Sequence, residues 1–483
     1  MTKKPLKILF LAAEAVPFAK VGGLADVAGS LPRAIRALGH DVRLMIPRYG
    51  TIRSDQFQME TIGGTLTIPL GPGEERVHLV GNSLDGGVPV YLIWDEHYFS
   101  SRDQVYGFED DAQRFTVFGR GALVALQSLD WKPDVIHAND WHTGLVPTWL
   151  NTAGQDDPSY SDIATLFTIH NLTYQGIAGR LILTFAQMEY VKHLSVEQPG
   201  TVNWMAQGIA HADLVNTVSE QYAQEILTPE MGMGLAPLLQ ERKERLFGVV
   251  NGIDYEQWNP ATDPNIPHRF DNETLDRRIT NKTVLQQQAR LPARPDAPLI
   301  GMVTRLGEVK GMDLMEPVLE WLLAQEREVQ FVLLGTGAPQ YHEMFERVQS
   351  RFPNRISTFL KFDDALARRI YAGADMFLMP SAVEPCGLGQ MIAMRYGCVP
   401  VVRAIGGLAD TVTDQRGRGT GFTFTEYTPK ACQNALERAL KAYDKKKAWR
   451  RMQQRGMAID FSWSASAKKY VKLYRRAIEV HGA

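Results

Sequence analysis

A chain of 483 residues is too long for one ordinary hydrophobic core, so two or three domains are expected. Its 45% hydrophobic and 22% charged residues are those of a soluble globular protein, and no apolar run is long enough to cross a bilayer. A formal charge of −2, from 52 basic and 54 acidic side chains, argues against a nucleic-acid or membrane surface.

Three cysteines, Cys386, Cys398 and Cys432, cannot build a disulfide framework and fit a reducing cytoplasm. At the start, Lys3, Lys4 and Lys7 precede the apolar residues 8–13 in the manner of a secretory signal. The apolar core is too short and Glu14 arrives too early, so the segment reads as a buried strand with no targeting or transit peptide.

Residues 1–245 alternate strands and helices, with strands expected at 7–13, 41–47, 88–94, 134–138, 164–169 and 214–218. Several are continuous apolar runs, the pattern of a parallel sheet covered on both faces. Helical spacing fills 26–38 and 110–129, and 57–84 reads as an antiparallel excursion with turns at Gly63-Gly64 and Gly71-Pro72-Gly73. A second series opens near Phe247, with strands expected at 299–304, 329–335, 356–361, 376–380 and 399–403. The expected domains are therefore 1–245 and 246–460, both Rossmann-like, with an amphipathic helix in 461–483 that closes the chain; its pattern does not name the domain it packs on, and a return to the first is expected.

The most informative stretch is Ser381-Ala382-Val383-Glu384-Pro385-Cys386-Gly387-Leu388-Gly389-Gln390, between an apolar strand and a helix. Ligands bind at the carboxyl ends of strands in such sheets, where amides meet anions and a carboxylate can accept from hydroxyls. A helix cap and a tight turn are the alternative for Glu384 and its glycines. Gly22-Gly23-Leu24-Ala25-Asp26 recurs verbatim as Gly406-Gly407-Leu408-Ala409-Asp410, each copy following a strand and opening a helix. Two such rims suit phosphate or hydroxyl groups, unless both serve packing alone.

Lys20, ahead of Gly22 and Gly23, suits a diphosphate, and Arg305 with Lys310 could clamp a leaving one. His170 and Asn171, at another strand end, can contact sugar hydroxyls, and Tyr174 offers a ring face to a pyranose. His137-Ala138-Asn139-Asp140-Trp141-His142 matches no zinc spacing, so no metal is expected, and a helix cap is the natural role for Asn139 or Asp140. No nucleophile elbow or Walker loop occurs, and Gly335-Thr336-Gly337 lacks the third glycine of a dinucleotide site.

Five motifs in order, Lys20-Val21-Gly22-Gly23-Leu24, the 137–142 stretch, 170–176, Asn251-Gly252-Ile253-Asp254 and Glu384-Pro385-Cys386-Gly387-Leu388, resemble bacterial glycogen synthase and plant starch synthase over nearly the whole chain. The resemblance implies an α/β GT-B architecture, two doubly wound domains facing a deep inter-domain cleft. It implies transfer of glucose from ADP-glucose to the non-reducing end of an α-1,4-glucan with retention, in the cytoplasm and without metal or cofactor.

By the same resemblance, His170, Glu384, Arg305, Lys310 and Asp26 are the catalytic set. Lys20, Gly22, Gly23, Asn251, Phe362, Gly387, Leu388 and Gly389 bind the nucleotide sugar, and Asn171, Tyr174, Gln175 and Asp140 contact the acceptor. Phe362 stands where the family often has tyrosine, Gly389 where threonine is common, and Ala206 where lysine is frequent. No carboxylate pair of the glycosidase kind is apparent, so front-face displacement without a covalent intermediate is expected. A UDP-sugar transferase with a small acceptor and a non-catalytic glucan binder are the alternatives.

Overall fold

A computed structural model describes residues 4–53, 55–188, 200–415 and 418–482. The chain divides into two compact units, one of residues 1–252 with 463–483 and the other of residues 253–462.

The first unit is built on strands β1 (Lys7–Leu11), β2 (Asp41–Pro47), β3 (Glu60–Leu70), β4 (Gly73–Leu84), β5 (Val88–Trp94), β6 (Val135–Asn139) and β7 (Ala164–Ile169). A small hairpin, β8 (Ile177–Gly179) with β9 (Thr201–Asn203), stands apart, and β10 (Leu214–Thr217) and β11 (Leu246–Gly248) return to the main sheet. That sheet runs β11-β10-β7-β6-β1-β2-β5-β4-β3, parallel from β11 to β5 and antiparallel beyond. Its central strands are buried along nearly their whole length, which is why they are rich in Ile, Leu, Phe and Val, although β6 and β7 also bury His137, Asn139, Thr165 and Thr168.

Two expectations are corrected here. Gly71-Pro72-Gly73 makes the β3–β4 turn, but Gly63-Gly64 lies inside β3, where the register shifts between Ile62 and Leu66. Glycine marks bulges as well as turns. Phe247 does not open the second series: it sits on β11, which pairs in parallel with β10 at the edge of the first sheet.

Helices α1 (Gly23–Ala37), α2 (Asp111–Ser128) and α3 (Trp204–His211) belong to this unit. In the second unit, β12 (Leu299–Val303), β13 (Gln330–Leu334), β14 (Ile356–Phe359), β15 (Met376–Met379), β16 (Val399–Arg403) and β17 (Phe422–Phe424) form a wholly parallel sheet, ordered β14-β13-β12-β15-β16-β17. Counted within the unit, this is the 3-2-1-4-5-6 order of a doubly wound nucleotide-binding sheet. Helices α4 (Asp364–Gly373), α5 (Gly389–Arg395) and α6 (Gly406–Thr411) follow β14, β15 and β16.

The closing helix α7 (Trp463–His481) belongs to the first unit. Its buried face carries Trp463, Tyr470 and Tyr474, and the Tyr474 hydroxyl lies 2.9 Å from His137 Nδ1 beneath the sheet. At its end, His481 meets Asp213 at 3.1 Å and the Ser161 carbonyl at 2.9 Å, which pushes its pKa up to about 9.

The order in which strands are added reverses between β12 and β15 in the second sheet and between β1 and β6 in the first, the strands themselves staying parallel. Such switch points leave a crevice at the strands' carboxyl ends. The loops leaving these four strands carry most of the residues singled out by sequence.

Candidate active site

In the second unit, the loop after β12 carries Arg305 and Lys310, and the loop after β15 carries Glu384. Backbone bonds tie the two loops together: Ala382 N donates to Val309 O at 3.0 Å, and a Cβ on Gly311 would meet Pro380 O at 2.2 Å. The result is an ion pair, with Lys310 Nζ 2.8 and 2.7 Å from the two Glu384 oxygens. Glu384 is 6% exposed, and the buried Ser381 hydroxyl donates to its Oε2 at 3.0 Å. The carboxylate is thus fixed, neutralised and left as an acceptor rather than set up as a nucleophile.

Arg305 is exposed, and its guanidinium has no ion-pair or hydrogen-bond partner among the described residues. Its guanidinium fork is therefore open to an anion. The two expected clamp residues differ: Lys310 is engaged with Glu384, and Arg305 is not engaged at all.

Gly335-Thr336-Gly337 is a packing device. A Cβ on Gly335 would lie 2.1 Å from Thr304 O, and one on Gly337 2.1 Å from Leu306 O, so the chain flanking Arg305 rests on bare backbone. Phe362, just before Asp363 caps α4, is 88% exposed, an uncommon state for a phenylalanine and one suited to stacking. Gly387 and Leu388 lead into α5, where Gln390 Nε2 donates to the Cys386 and Gly387 carbonyls at 3.1 and 3.0 Å. A Cβ on Gly389 would stand 3.0 Å from the Phe377 ring, so Phe377 occupies the room a threonine would need.

In the first unit, the loop after β1 holds Lys20 and the first Gly-Gly pair. Lys20 Nζ lies 2.7 Å from Asp26 Oδ1 in the first turn of α1. The Gly22 amide does not face outward: Glu14 accepts from Val21 N at 2.5 Å and from Gly22 N at 3.0 Å. Glu14 is 3% exposed, and burial raises its pKa against the lowering effect of those two amides. Gly23 alone has open space, with nothing within 4 Å of an added Cβ.

The loops after β6 and β7 meet. Asp140, with a positive φ of 56°, is buried and accepts from the amide of His170 at 2.7 Å. A longer bond of 3.4 Å reaches Asn171 N. Burial pushes the Asp140 pKa up to about 7. Neither Asn139 nor Asp140 caps a helix through its side chain, contrary to the expectation: both are spent on the His170 loop.

His170 Nε2 lies 2.9 Å from Asn139 Oδ1, and burial takes the ring's pKa down to about 3. His137 and His142 are core residues. His137 bonds Tyr474 and Thr168, while His142 stacks on Tyr106 at 4.8 Å. No group of three or more His, Cys, Asp or Glu among the described residues could hold a metal.

Of the acceptor-side candidates, Tyr174 is 65% exposed and Asn171 Oδ1 turns back to Thr173 N. Gln175 is tied into the scaffold by Leu172 O, Met233 O and Asn203 Nδ2, and Asp140 is turned onto amides, so both act as supports for the loop. A cavity of about 680 Å³ opens where this loop ends, lined in part by Asp111, Trp141, Gly176, Ile177 and Phe185. Asn251, just past β11, is 8% exposed with an unpartnered Oδ1. Ala206 is fully buried among Phe167, Met205 and Ile209, surroundings that would not accept a lysine.

Sequence reasoning missed three residues: Glu14, Asn139 as a partner of His170, and Ser381. Glu14 and Ser381 act within their own loops, on the amides of Val21 and Gly22 and on the Glu384 carboxylate, while Asn139 reaches His170 from the neighbouring strand's loop.

Two units with parallel α/β sheets and switch-point loops of this kind define a glycosyltransferase of the GT-B class. Residues 7–241 match the starch synthase catalytic domain and residues 285–456 the group 1 glycosyl transferases. The glycogen synthase of Moorella thermoacetica is 46% identical over 99% of this chain and 98% of its own, and that of Syntrophotalea carbinolica is 45% identical over 99% and 100%. The chain belongs to the bacterial glycogen synthase and starch synthase family.

Among solved structures, the catalytic domain of starch synthase IV from Arabidopsis thaliana, bound to ADP and acarbose, superposes with a TM-score of 0.89. It is 35% identical and covers 99% of this chain and 100% of that one. Sucrose-phosphate synthase from Thermosynechococcus elongatus, at 18% identity and a TM-score of 0.59, shares the fold alone. No helix among the described residues is long and apolar enough to cross a membrane.

Proposed function

We propose that the protein transfers glucose from ADP-glucose to the non-reducing end of an α-1,4-glucan with retention of configuration, as a cytoplasmic enzyme without cofactor or metal. One observation carries this reading: an unpartnered Arg305 beside a fixed Lys310–Glu384 pair, at the switch point of a nucleotide-binding sheet.

Arg305 and Lys310 take the diphosphate, and their attraction grows as ADP departs with increasing negative charge. Phe362 stacks on the adenine, and Gly387, Leu388 and Gly389 line the phosphate. Lys20, with the Gly23 side of its loop, serves the same diphosphate, while Asp26, Asn251 and His170 address the donor sugar. Asn171 and Tyr174 take the acceptor glucan.

Glu384, neutralised by Lys310, accepts from sugar hydroxyls and supports the positive charge that develops at the anomeric carbon. The departing phosphate takes the acceptor's proton as the new glycosidic bond forms on the same face. A carboxylate held by an ammonium and a hydroxyl is poorly suited to covalent attack, which favours this single displacement.

The test is ADP or UDP release from ADP-glucose and UDP-glucose, each with and without glycogen. Glycogen-dependent ADP release with glucan extension is expected. UDP-glucose preference, or no release from either donor, would overturn the reading.

A further inference from the structure

We propose that Asn139 is a positioning residue that holds His170 as its neutral Nε2–H tautomer. The Asn139 amide fixes which ring nitrogen carries the proton. It is fully buried at the end of β6, and its Nδ2 donates to Leu11 O at 2.9 Å and to His137 O at 3.2 Å. Both contacts are carbonyls, which can only accept, so the amide cannot be flipped. Its Oδ1 is therefore the atom facing His170 Nε2 at 2.9 Å, and that nitrogen must carry the proton.

The His170 backbone is held as well, its amide donating to Asp140 Oδ1 at 2.7 Å. Nδ1 is left with a lone pair and no partner among the described residues. The ring thus presents an acceptor, never a second N–H or a full positive charge.

The consequence rests on the proposed role of His170 at the donor sugar. An acceptor nitrogen can take a hydrogen bond from a sugar hydroxyl without adding positive charge where the anomeric carbon becomes cationic. An imidazolium there would oppose the reaction.

Several titratable groups stand near the ring. They are Asp140 on the loop after β6, with Glu14 beyond it, His137 on β6, and Tyr222, which interacts with Leu172 and Asp140. Because Asp140 titrates near neutrality, a rate-versus-pH curve cannot single out His170, and a direct readout is needed.

That readout is 15N NMR of the intact protein labelled at histidine, with the His170 resonances assigned by their loss in His170→Gln. The wild type is expected to show one protonated and one unprotonated ring nitrogen, in the Nε2–H pattern, unchanged from pH 8 down to pH 5. Asn139→Ala is expected to collapse a tautomer bias of about tenfold or more towards averaged signals. An Nδ1–H pattern or a midpoint between pH 6 and 7 in the wild type would overturn the proposal without any variant. An unchanged Nε2–H pattern in a folded Asn139→Ala would overturn it equally. A fully active His170→Gln beside a wild-type Nε2–H spectrum would refute His170's part in the reaction while upholding the tautomer assignment.

Discussion

Gly22-Gly23-Leu24-Ala25-Asp26 and Gly406-Gly407-Leu408-Ala409-Asp410 are the same five residues, each opening a helix, yet their glycines answer to different neighbours. In the second copy there is no room: a Cβ on Gly406 would lie 2.0 Å from Glu384 O, and one on Gly407 2.0 Å from Cys386 O. Those glycines let α6 press against the backbone that carries Glu384. In the first copy, Gly22 faces only the Glu14 carboxylate and Gly23 faces nothing. One copy is a buttress, and the other has open space at its second glycine. Identical sequence therefore marks a shared helix start, and the surroundings decide what its glycines are for.

Substitution at Gly407 should break the molecule most severely. Gly407→Ala drives a methyl into backbone that cannot move aside, at a cost above about 3 kcal/mol. A markedly lower melting temperature with lost turnover is expected, and a wild-type melting curve would deny the buttress.

Lys310→Ala comes next. It removes the counter-charge from a buried carboxylate, so about 1–3 kcal/mol of stability should go along with roughly 10²-fold or more in kcat. Loss of turnover with no loss of stability would mean that the pair contributes nothing to holding Glu384.

Gly23→Ala should behave in the opposite way to Gly407→Ala. The fold should change by less than about 1 kcal/mol, since alanine favours the helix and meets nothing. KM for ADP-glucose should rise by roughly three- to tenfold as the methyl narrows the approach to the loop amides. A destabilised protein with unchanged KM would erase the difference between the copies.

The smallest effect lies at a contact separate from both copies. His481 has its folded pKa raised from 6.5 to about 9 by Asp213, so its contribution to stability is fully present below pH 6.5 and lost as pH rises through 9. His481→Ala should flatten that part of the stability curve, read by denaturant melts across pH, and leave turnover at pH 7 unchanged.

Much of the architecture was legible because parallel strands buried on both faces must be continuous apolar runs. Asp41–Pro47, Val88–Trp94, Ala164–Ile169 and Val399–Arg403 fall where that pattern puts them. What failed depended on partners elsewhere in the chain. Phe247 looked like the start of a new series because a parallel strand does not advertise which sheet will take it. The three-residue β17 was too short to rise above its surroundings.

The site was legible where its residues are chemically conspicuous. Lys310 and Glu384 pair across neighbouring loops of one sheet, and Arg305 lies on the Lys310 loop. Glu14 escaped notice because a carboxylate that serves backbone amides has no spacing rule. Asp140 and Gln175 were assigned to the acceptor by the resemblance, while their hydrogen bonds run to backbone groups and to Asn203 of the same unit.

The most direct test is Arg305→Ala, with turnover on ADP-glucose and glycogen measured beside a thermal melt. Arg305 supports nothing in the free protein, so the account predicts an unchanged melting temperature with kcat lower by about 10²-fold or more. Full turnover in the folded variant would contradict it.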